Sequence, residues 1–272
     1  MKTKNTFQLG DFEINRIGFG TMRATTGPGI WGDTPDKKNA IQVIRKAIEN
    51  GINFIDTADA YGPYTSELLV QKAIEPFKDE VMVATKGGFI KYQPGAVIPN
   101  GHPYYLRTAL EGSLRRLKTE SIDFYYLHKA DPNIPIEESV GALATFQKEG
   151  KIKHLGISNV TLQQFKKAQS VAKIDAVQNA FSFKDRRSEA LVDQTTKEDI
   201  LFVAHTPIAR NNWENTDIEK AQKEGSTINQ ISLRWLLDVA PNVISIPGTA
   251  SERHLMENLQ SYTLKSRPYE EA

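Results

Sequence analysis

Cysteine is absent from this chain of 272 residues. That excludes a disulfide framework, a thiolate zinc site and a thiol nucleophile. Net charge is nearly absent as well: 34 Lys and Arg stand against 33 Asp and Glu, leaving +1. So even a balance gives no long-range attraction to nucleic acid or to an anionic membrane. No apolar run approaches the ~20 residues that span a bilayer. Behind the charged start Met-Lys-Thr-Lys there is no apolar stretch of the secretory kind. A cytoplasmic protein is expected, with a small-molecule partner, no nucleic-acid partner and no membrane partner. Nothing in the pattern assigns an oligomeric state. Gly-x-Gly-x-x-Gly is missing, which argues against a Rossmann nucleotide site. No metal or flavin fingerprint is visible.

What the chain does have is a regular alternation. Near-continuous apolar runs occur at Ile17–Gly20, Phe54–Thr57, Val81–Thr85, Asp123–Leu127, His154–Ser158, Ala176–Asn179, Leu201–Ala204 and Val243–Ile246. Such runs suit strands buried on both faces of a parallel sheet. Between them lie helical periods: Ile41, Ile44 and Ile48; Leu106, Leu110 and Leu117; Ile136, Val140 and Leu143; Leu162, Phe165 and Ala168; Ile228, Ile231 and Trp235. Thr34 can cap the first of these helices, with Pro35 at its first position and Gly51 at its stop. Thr161 can cap the fourth, and Ser226 precedes the fifth. The expectation is an α/β fold, a (β/α)8 TIM barrel spanning residues 1–272 as one domain. Phe7–Leu9 and Phe12–Ile14 flank Gly10-Asp11, which predicts an N-terminal β-hairpin at the barrel's bottom. Loops leaving strands are long at Met22–Asp33, Gly87–Tyr104 and Ala209–Asp217, and these would shape the mouth.

Several strand ends deliver a polar residue. Asn53-Phe-Ile-Asp-Thr-Ala-Asp-Ala-Tyr-Gly62 carries Asp56 and Tyr61, Val83-Ala-Thr-Lys-Gly87 carries Lys86, and Phe124-Tyr-Tyr-Leu-His128 carries His128. Taken singly these are a turn aromatic, a solvated lysine, a loop brace and a core histidine. Their order on successive strands gives them meaning, because the carboxyl ends of barrel strands converge on one mouth. An Asp, Tyr, Lys and His gathered there can protonate a carbonyl.

These motifs resemble the aldo-keto reductase family, and the likeness runs from Gly18 to Asn258. The resemblance implies a nicotinamide-dependent oxidoreductase that reduces an aldehyde or ketone, or runs the reverse. It implies Tyr61 as acid/base, Lys86 and Asp56 as its supports, and His128 on the substrate oxygen. A tyrosine at its ordinary pKa near ~10 is a weak acid at neutral pH, and a neighbouring ammonium is expected to lower it. For the cofactor the resemblance implies Thr21, Met22, Asp56, Ser158, Asn159 and Gln178 at the nicotinamide end. His205, Thr206, Pro207, Ile208 and Arg210 would strap the middle. Gly248, Thr249, Arg253, His254, Glu257 and Asn258 would clamp the adenine nucleotide.

NADP(H) is favoured over NAD(H), although Gly248 and His254 stand where many members have Lys and Arg. His205 stands where many members stack a tyrosine, and an imidazole can charge near neutral pH. Trp31, Phe89, Tyr92, Tyr104 and Trp213 are expected to line an apolar substrate pocket. Many members continue beyond the last helix, Glu252–Leu259, into a further helix and loop, so a more open pocket is expected here. The pattern Thr-Gly-Pro-Gly-Ile-Trp-Gly after Gly-Thr-Met is most like a bacterial branch that reduces pyridoxal or oxidises pyridoxine. The rival expectation is a non-catalytic NADP(H)-binding sensor resembling potassium-channel β-subunits, which keep the same four residues.

Overall fold

The computed structural model describes residues 5–208, 213–223 and 225–265. In chain order the elements are β1 (Thr6–Leu9), β2 (Phe12–Asn15), β3 (Phe19–Gly20), α1 (Met22–Thr25), α2 (Lys37–Glu49), β4 (Phe54–Asp56), α3 (Thr65–Ile74) and β5 (Met82–Gly87). There follow β6 (Phe89–Gln93), β7 (Ala96–Pro99), α4 (Pro103–Leu117), β8 (Ile122–Leu127), α5 (Ile136–Lys148), β9 (Ile152–Ser158) and α6 (Leu162–Gln169). The last part holds β10 (Ala176–Ala180), α7 (Glu189–Lys197), β11 (Leu201–His205), α8 (Asn215–Lys223), α9 (Ile228–Val239), β12 (Val243–Ser245) and α10 (Glu252–Gln260).

Eight strands form one sheet in the order β12-β11-β10-β9-β8-β5-β4-β3, every pairing parallel. The ends meet through the segment before β3. Gly18 donates to Ser245 O at 2.8 Å and Ser245 N to Arg16 O at 2.9 Å, with Ile17 bridging Ser245. This is a (β/α)8 barrel. Two cores follow from the strand period of two. Inward residues such as Phe54, Met82, Phe124, Leu201 and Ile244 form one cluster, and Phe7, Leu9 and Ile14 of the β1–β2 hairpin complete it from below. Outward residues such as Ile55, Val83, Leu127 and Val177 form the other, against the helices.

Local chemistry moved some boundaries. Helix α2 begins at Lys37, after Thr34 and Pro35, because Asp36 takes the cap and accepts from Asn39 N. A carboxylate there also favours the positive end of the helix. Thr161 caps α6 as expected, in a full capping box with Gln164, while α9 is capped by Thr227, one residue past Ser226. The stretch Gly87–Tyr104 is largely not loop: β6 and β7 pair there as an antiparallel hairpin around Pro94-Gly95. Met22–Asp33 holds the short α1 and a single 3-10 turn.

Candidate active site

Strand register builds the floor of the mouth. Asp56 lies two residues past inward Phe54, Lys86 past Ala84, His128 past Tyr126, Ser158 past Gly156, Gln178 past Ala176 and His205 past Val203. Alternation puts each side chain on the same face as its apolar predecessor. The layer above the barrel's apolar filling is therefore polar from six strands. Gly156 has no room for a side chain, since a Cβ would lie 2.4 Å from Tyr126, whose ring fills that space. Tyr61 comes from the turn after β4, where Tyr61 N bonds Ala58 O at 3.2 Å. Gly62 follows with φ of +103°, a value that suits glycine.

Lys86 is the hub. Its ammonium donates to Asp56 Oδ1 at 2.5 Å, to Thr57 O at 2.8 Å and, at 3.5 Å, to the Tyr61 hydroxyl. Asp56 Oδ2 accepts from Gln178 Nε2 at 2.7 Å. Lys86 and Asp56 are both buried. Burial pulls the Lys86 pKa down, but Asp56 and then Tyr61 outweigh it, so the ammonium is held above its ordinary value. Burial also raises the Asp56 carboxyl, against the pull of Lys86. For Tyr61 the lowering expected from Lys86 is present but smaller than the rise from burial, and the phenol sits above its ordinary value. Lys86 thus limits a rise rather than producing a net fall.

His128 closes the other side, its ring 6.0 Å from that of Tyr61 and 4.3 Å from that of Phe89. Burial, then the charge of Lys86, then His205 hold it well below its ordinary pKa. Its Nδ1 is buried without a partner. His205 is fixed at both nitrogens, 3.0 Å from Thr206 Oγ1 and 3.1 Å from Asn159 Oδ1. Asn159 donates in turn to His128 O at 3.0 Å. Asn159 and Thr206 hold φ of +55° and +53°, unusual for a β-branched threonine. His205 is pushed down to about 4 by burial and then by Lys86. Charging near neutral pH, expected from its ordinary value, is therefore opposed. NMR of the imidazole carbons should show both rings neutral from about pH 6 to 8; a titration midpoint inside that window would contradict this electrostatic account.

These groups share a cavity of about 610 Å³ across the mouth. Thr21, Met22, Asp56, Tyr61, His128, Ser158, Asn159 and Gln178 line it, with His205, Thr206, Pro207, Ile208 and Gly248. The Thr21 hydroxyl is already engaged, by Asp56 O at 2.9 Å and Ser66 Oγ at 3.0 Å. Thr249, Arg253, His254, Glu257 and Asn258 are not among the lining residues. Thr249 and α10 carry them in the turn and helix after Gly248, where Asn258 Oδ1 is buried without a partner. Arg253 contacts His254 Nε2 at 2.8 Å, and Glu257 accepts from Thr227 at 2.6 Å. Arg210 lies outside the described residues.

Of the five aromatics expected in the substrate pocket, Phe89 lines the cavity and Trp31, Tyr92, Tyr104 and Trp213 do not. Tyr92 sits on the opposite face of β6 and is 54% exposed, and Tyr104 is 83% exposed. Trp213 stacks on Phe183 at 5.4 Å, and Trp31 bridges Gly62. Ile30, Val97, Arg23 and Lys91 stand in the wall instead. Sequence reasoning missed those four.

Behind the floor lies a second buried acid. Asp59 is buried with neither carboxylate oxygen bonded to a side chain, while its backbone N bonds Lys86 O at 3.1 Å. Burial, then the nearby Glu67, raise its pKa well above the ordinary value. Its contribution to stability is intact below the unfolded value of 3.8 and is lost as pH rises through the raised folded value. Asp59→Asn removes that titration. A thermal melt at neutral pH should rise by a few degrees, about 2–4 °C per kcal/mol for a chain of this order, and the alkaline decline should flatten. A lowered melting point at every pH would refute the buried-acid account.

Comparison with known proteins places this geometry. The model of the aldo/keto reductase family matches residues 16–271. An uncharacterized oxidoreductase of Schizosaccharomyces pombe is 37% identical over 94% of this chain and 84% of its own. Pyridoxine 4-dehydrogenase of Escherichia coli is 35% identical over 96% of this chain and 94% of its own. The solved structure of an aldo-keto reductase from Klebsiella pneumoniae in complex with NADPH superposes with a TM-score of 0.81 at 26% identity, covering 96% of this chain and 90% of that one. A barrel mouth carrying Asp56, Tyr61, Lys86 and His128, in a chain matched almost end to end, belongs to the aldo/keto reductase family, whose members are oxidoreductases acting on carbonyls.

Proposed function

We propose that this chain is an NADP(H)-dependent reductase that interconverts an aldehyde or ketone with its alcohol, with Tyr61 as the proton donor. The observation that carries the reading is the bonded series Gln178–Asp56–Lys86–Tyr61 facing His128 across one cavity. Hydride arrival at a carbonyl carbon leaves charge on oxygen, and a positioned acid must meet it. Tyr61 would give its proton to that oxygen. Lys86 would stabilise the phenolate that remains, in a site where burial makes the charge count for more. Asp56 holds Lys86 charged and in place. His128, held neutral, would donate a hydrogen bond from its ring N–H to the same oxygen without becoming a rival acid.

The chain's residues fit a nicotinamide nucleotide. Gln178 and Asn159 offer amide groups beside Ser158, suited to a carboxamide that both donates and accepts. Asn258 Oδ1 is a buried acceptor in want of a donor such as an exocyclic amine. Arg23 lines the cavity near Gly248 with no bonded partner among the described residues, and would neutralise phosphate there. When bound, the reduced nicotinamide supplies the hydride. Arg23 and Arg253 support the lean toward NADP(H), as does the NADPH bound in the Klebsiella relative.

Pyridoxal or pyridoxine is the proposed substrate type, on the likeness to the pyridoxine dehydrogenase. Purified protein given NADPH with pyridoxal, an aromatic aldehyde or a methyl ketone is expected to consume NADPH, fastest with pyridoxal. Slow or absent turnover of pyridoxal beside fast turnover of the others would sink the substrate assignment and keep the reaction class.

A further inference from the structure

Resting on the carbonyl-reductase reading above, we infer that Lys91 is a specificity residue that binds an anionic group, carboxylate or phosphate, carried by the substrate. The hairpin β6–β7 forms one wall of the cavity. Directly opposed residues on paired strands share a face, and so do residues two apart on one strand. Lys91 pairs with Val97 and lies two residues after Phe89, and all three line the cavity. Tyr92 and Ile98 occupy the outer face, 54% and 50% exposed, and Val97 lines the open rim of the cavity at 43%. A lysine placed for solubility belongs on that outer face. This one is half-buried and shares the cavity face with Phe89 and Val97.

The Lys91 ammonium has no balancing charge. Among the described residues no carboxylate lies within ion-pair distance of Lys91. Its one bond is to Gly29 O at 3.0 Å, which ties the hairpin to the loop opposite and uses one of three donors. Among the described residues the cavity wall holds one acid, Asp56, already bonded to Lys86 and Gln178. Arg23 stands at the Gly248 end, where the cofactor's phosphates are proposed. Lys91 stands at the hairpin end, beyond Phe89, which touches His128. Burial with no opposing acid lowers the Lys91 pKa, and an arriving anion would relieve that cost.

Strand geometry sets the scale of the substrate. Phe89 and Lys91 lie two positions apart, about 7 Å of strand. A substrate with its carbonyl at Tyr61 and an anionic group at Lys91 would reach along the cavity past Phe89.

The experiment compares kcat/KM within matched pairs: meta-carboxybenzaldehyde against benzaldehyde, and pyridoxal phosphate against pyridoxal. Each ratio is taken in the wild type, Lys91→Met and Lys91→Arg, so a general loss of activity cancels. The wild type should favour the anionic member of one pair by about tenfold or more, through KM. Lys91→Met should bring that ratio to near unity and Lys91→Arg should retain it. The pair that responds identifies carboxylate or phosphate as the group recognised. Turnover of benzaldehyde with ratios that Lys91→Met leaves unchanged would overturn the inference and leave the reductase reading standing. Absence of any turnover would overturn the reductase reading. Calorimetric titration of the protein–NADPH complex with benzoate and benzamide then reads Lys91 alone: benzoate preferred only when Lys91 is present supports its anion site, and equal binding by both proteins overturns it.

Discussion

Tyr61→Phe should lower kcat for carbonyl reduction by about 10²–10⁴-fold, the usual contribution of a positioned general acid. The change deletes one hydroxyl and keeps the ring that faces His128 at 6.0 Å. NADPH affinity should therefore hold while kcat falls, a split that a merely structural tyrosine would not give. The hydroxyl bonds Lys86 at 3.5 Å, whereas Asp56 and Thr57 hold that ammonium at 2.5 and 2.8 Å. Lys86 thus stays in place without it, and the melting temperature should move little. Stopped-flow mixing of the preformed NADPH complex with an aldehyde measures the step directly. An undiminished rate would remove Tyr61 from the chemistry.

The second large effect belongs to Lys86→Met, and it falls on stability as well as rate. Lys86 is buried, and its charge is the main force opposing the burial rise of both Asp56 and Tyr61. Without it Asp56 is a buried carboxyl with only Gln178 as donor. Breaking a buried pair on one side costs about 3–5 kcal/mol, or roughly 6–20 °C of melting temperature at about 2–4 °C per kcal/mol. The sign of the pH dependence follows. With Lys86 gone the folded pKa of Asp56 lies further above its unfolded value of 3.8, so stability is kept below that value and lost as pH rises through the folded one. The variant should be least impaired in acid. Adding Asp56→Asn should restore much of the melting temperature and none of the activity. Melting curves across pH for both variants check this, and an acid-weakened Lys86→Met protein would contradict it.

Much of the barrel was legible because its strands are buried on both faces. Apolar runs such as Leu201-Phe-Val-Ala stand out, and several of them close on a polar residue. Asp56, Lys86 and His128 could therefore be expected at one mouth, whereas Gln178 was expected there only from the family resemblance. Other features depend on contacts that sequence does not encode locally. Asp36 takes the α2 cap because its carboxylate reaches Asn39 N, although Thr34 and Pro35 carry an equally good local signal. Aromatic type alone does not say which way a side chain turns: Phe89 faces the cavity, while Tyr92, three residues later, faces solvent. Lys91 was invisible for a different reason. One lysine among 34 cations has no mark of its own until the hairpin register puts it on the cavity face. The protonation states of His128 and His205 likewise come from burial and the distant Lys86, not from their neighbours in sequence.

The central claim is that this mouth delivers a hydride and a proton to one carbonyl. The most direct measurement uses NADPH deuterated at its hydride-donating carbon, incubated with the protein and pyridoxal or an aromatic aldehyde, followed by mass spectrometry of the alcohol. The account predicts deuterium on the former carbonyl carbon, formed in step with NADPH loss and nearly abolished in Tyr61→Phe. NADPH held tightly with no alcohol formed from any carbonyl would contradict it and favour a nucleotide sensor.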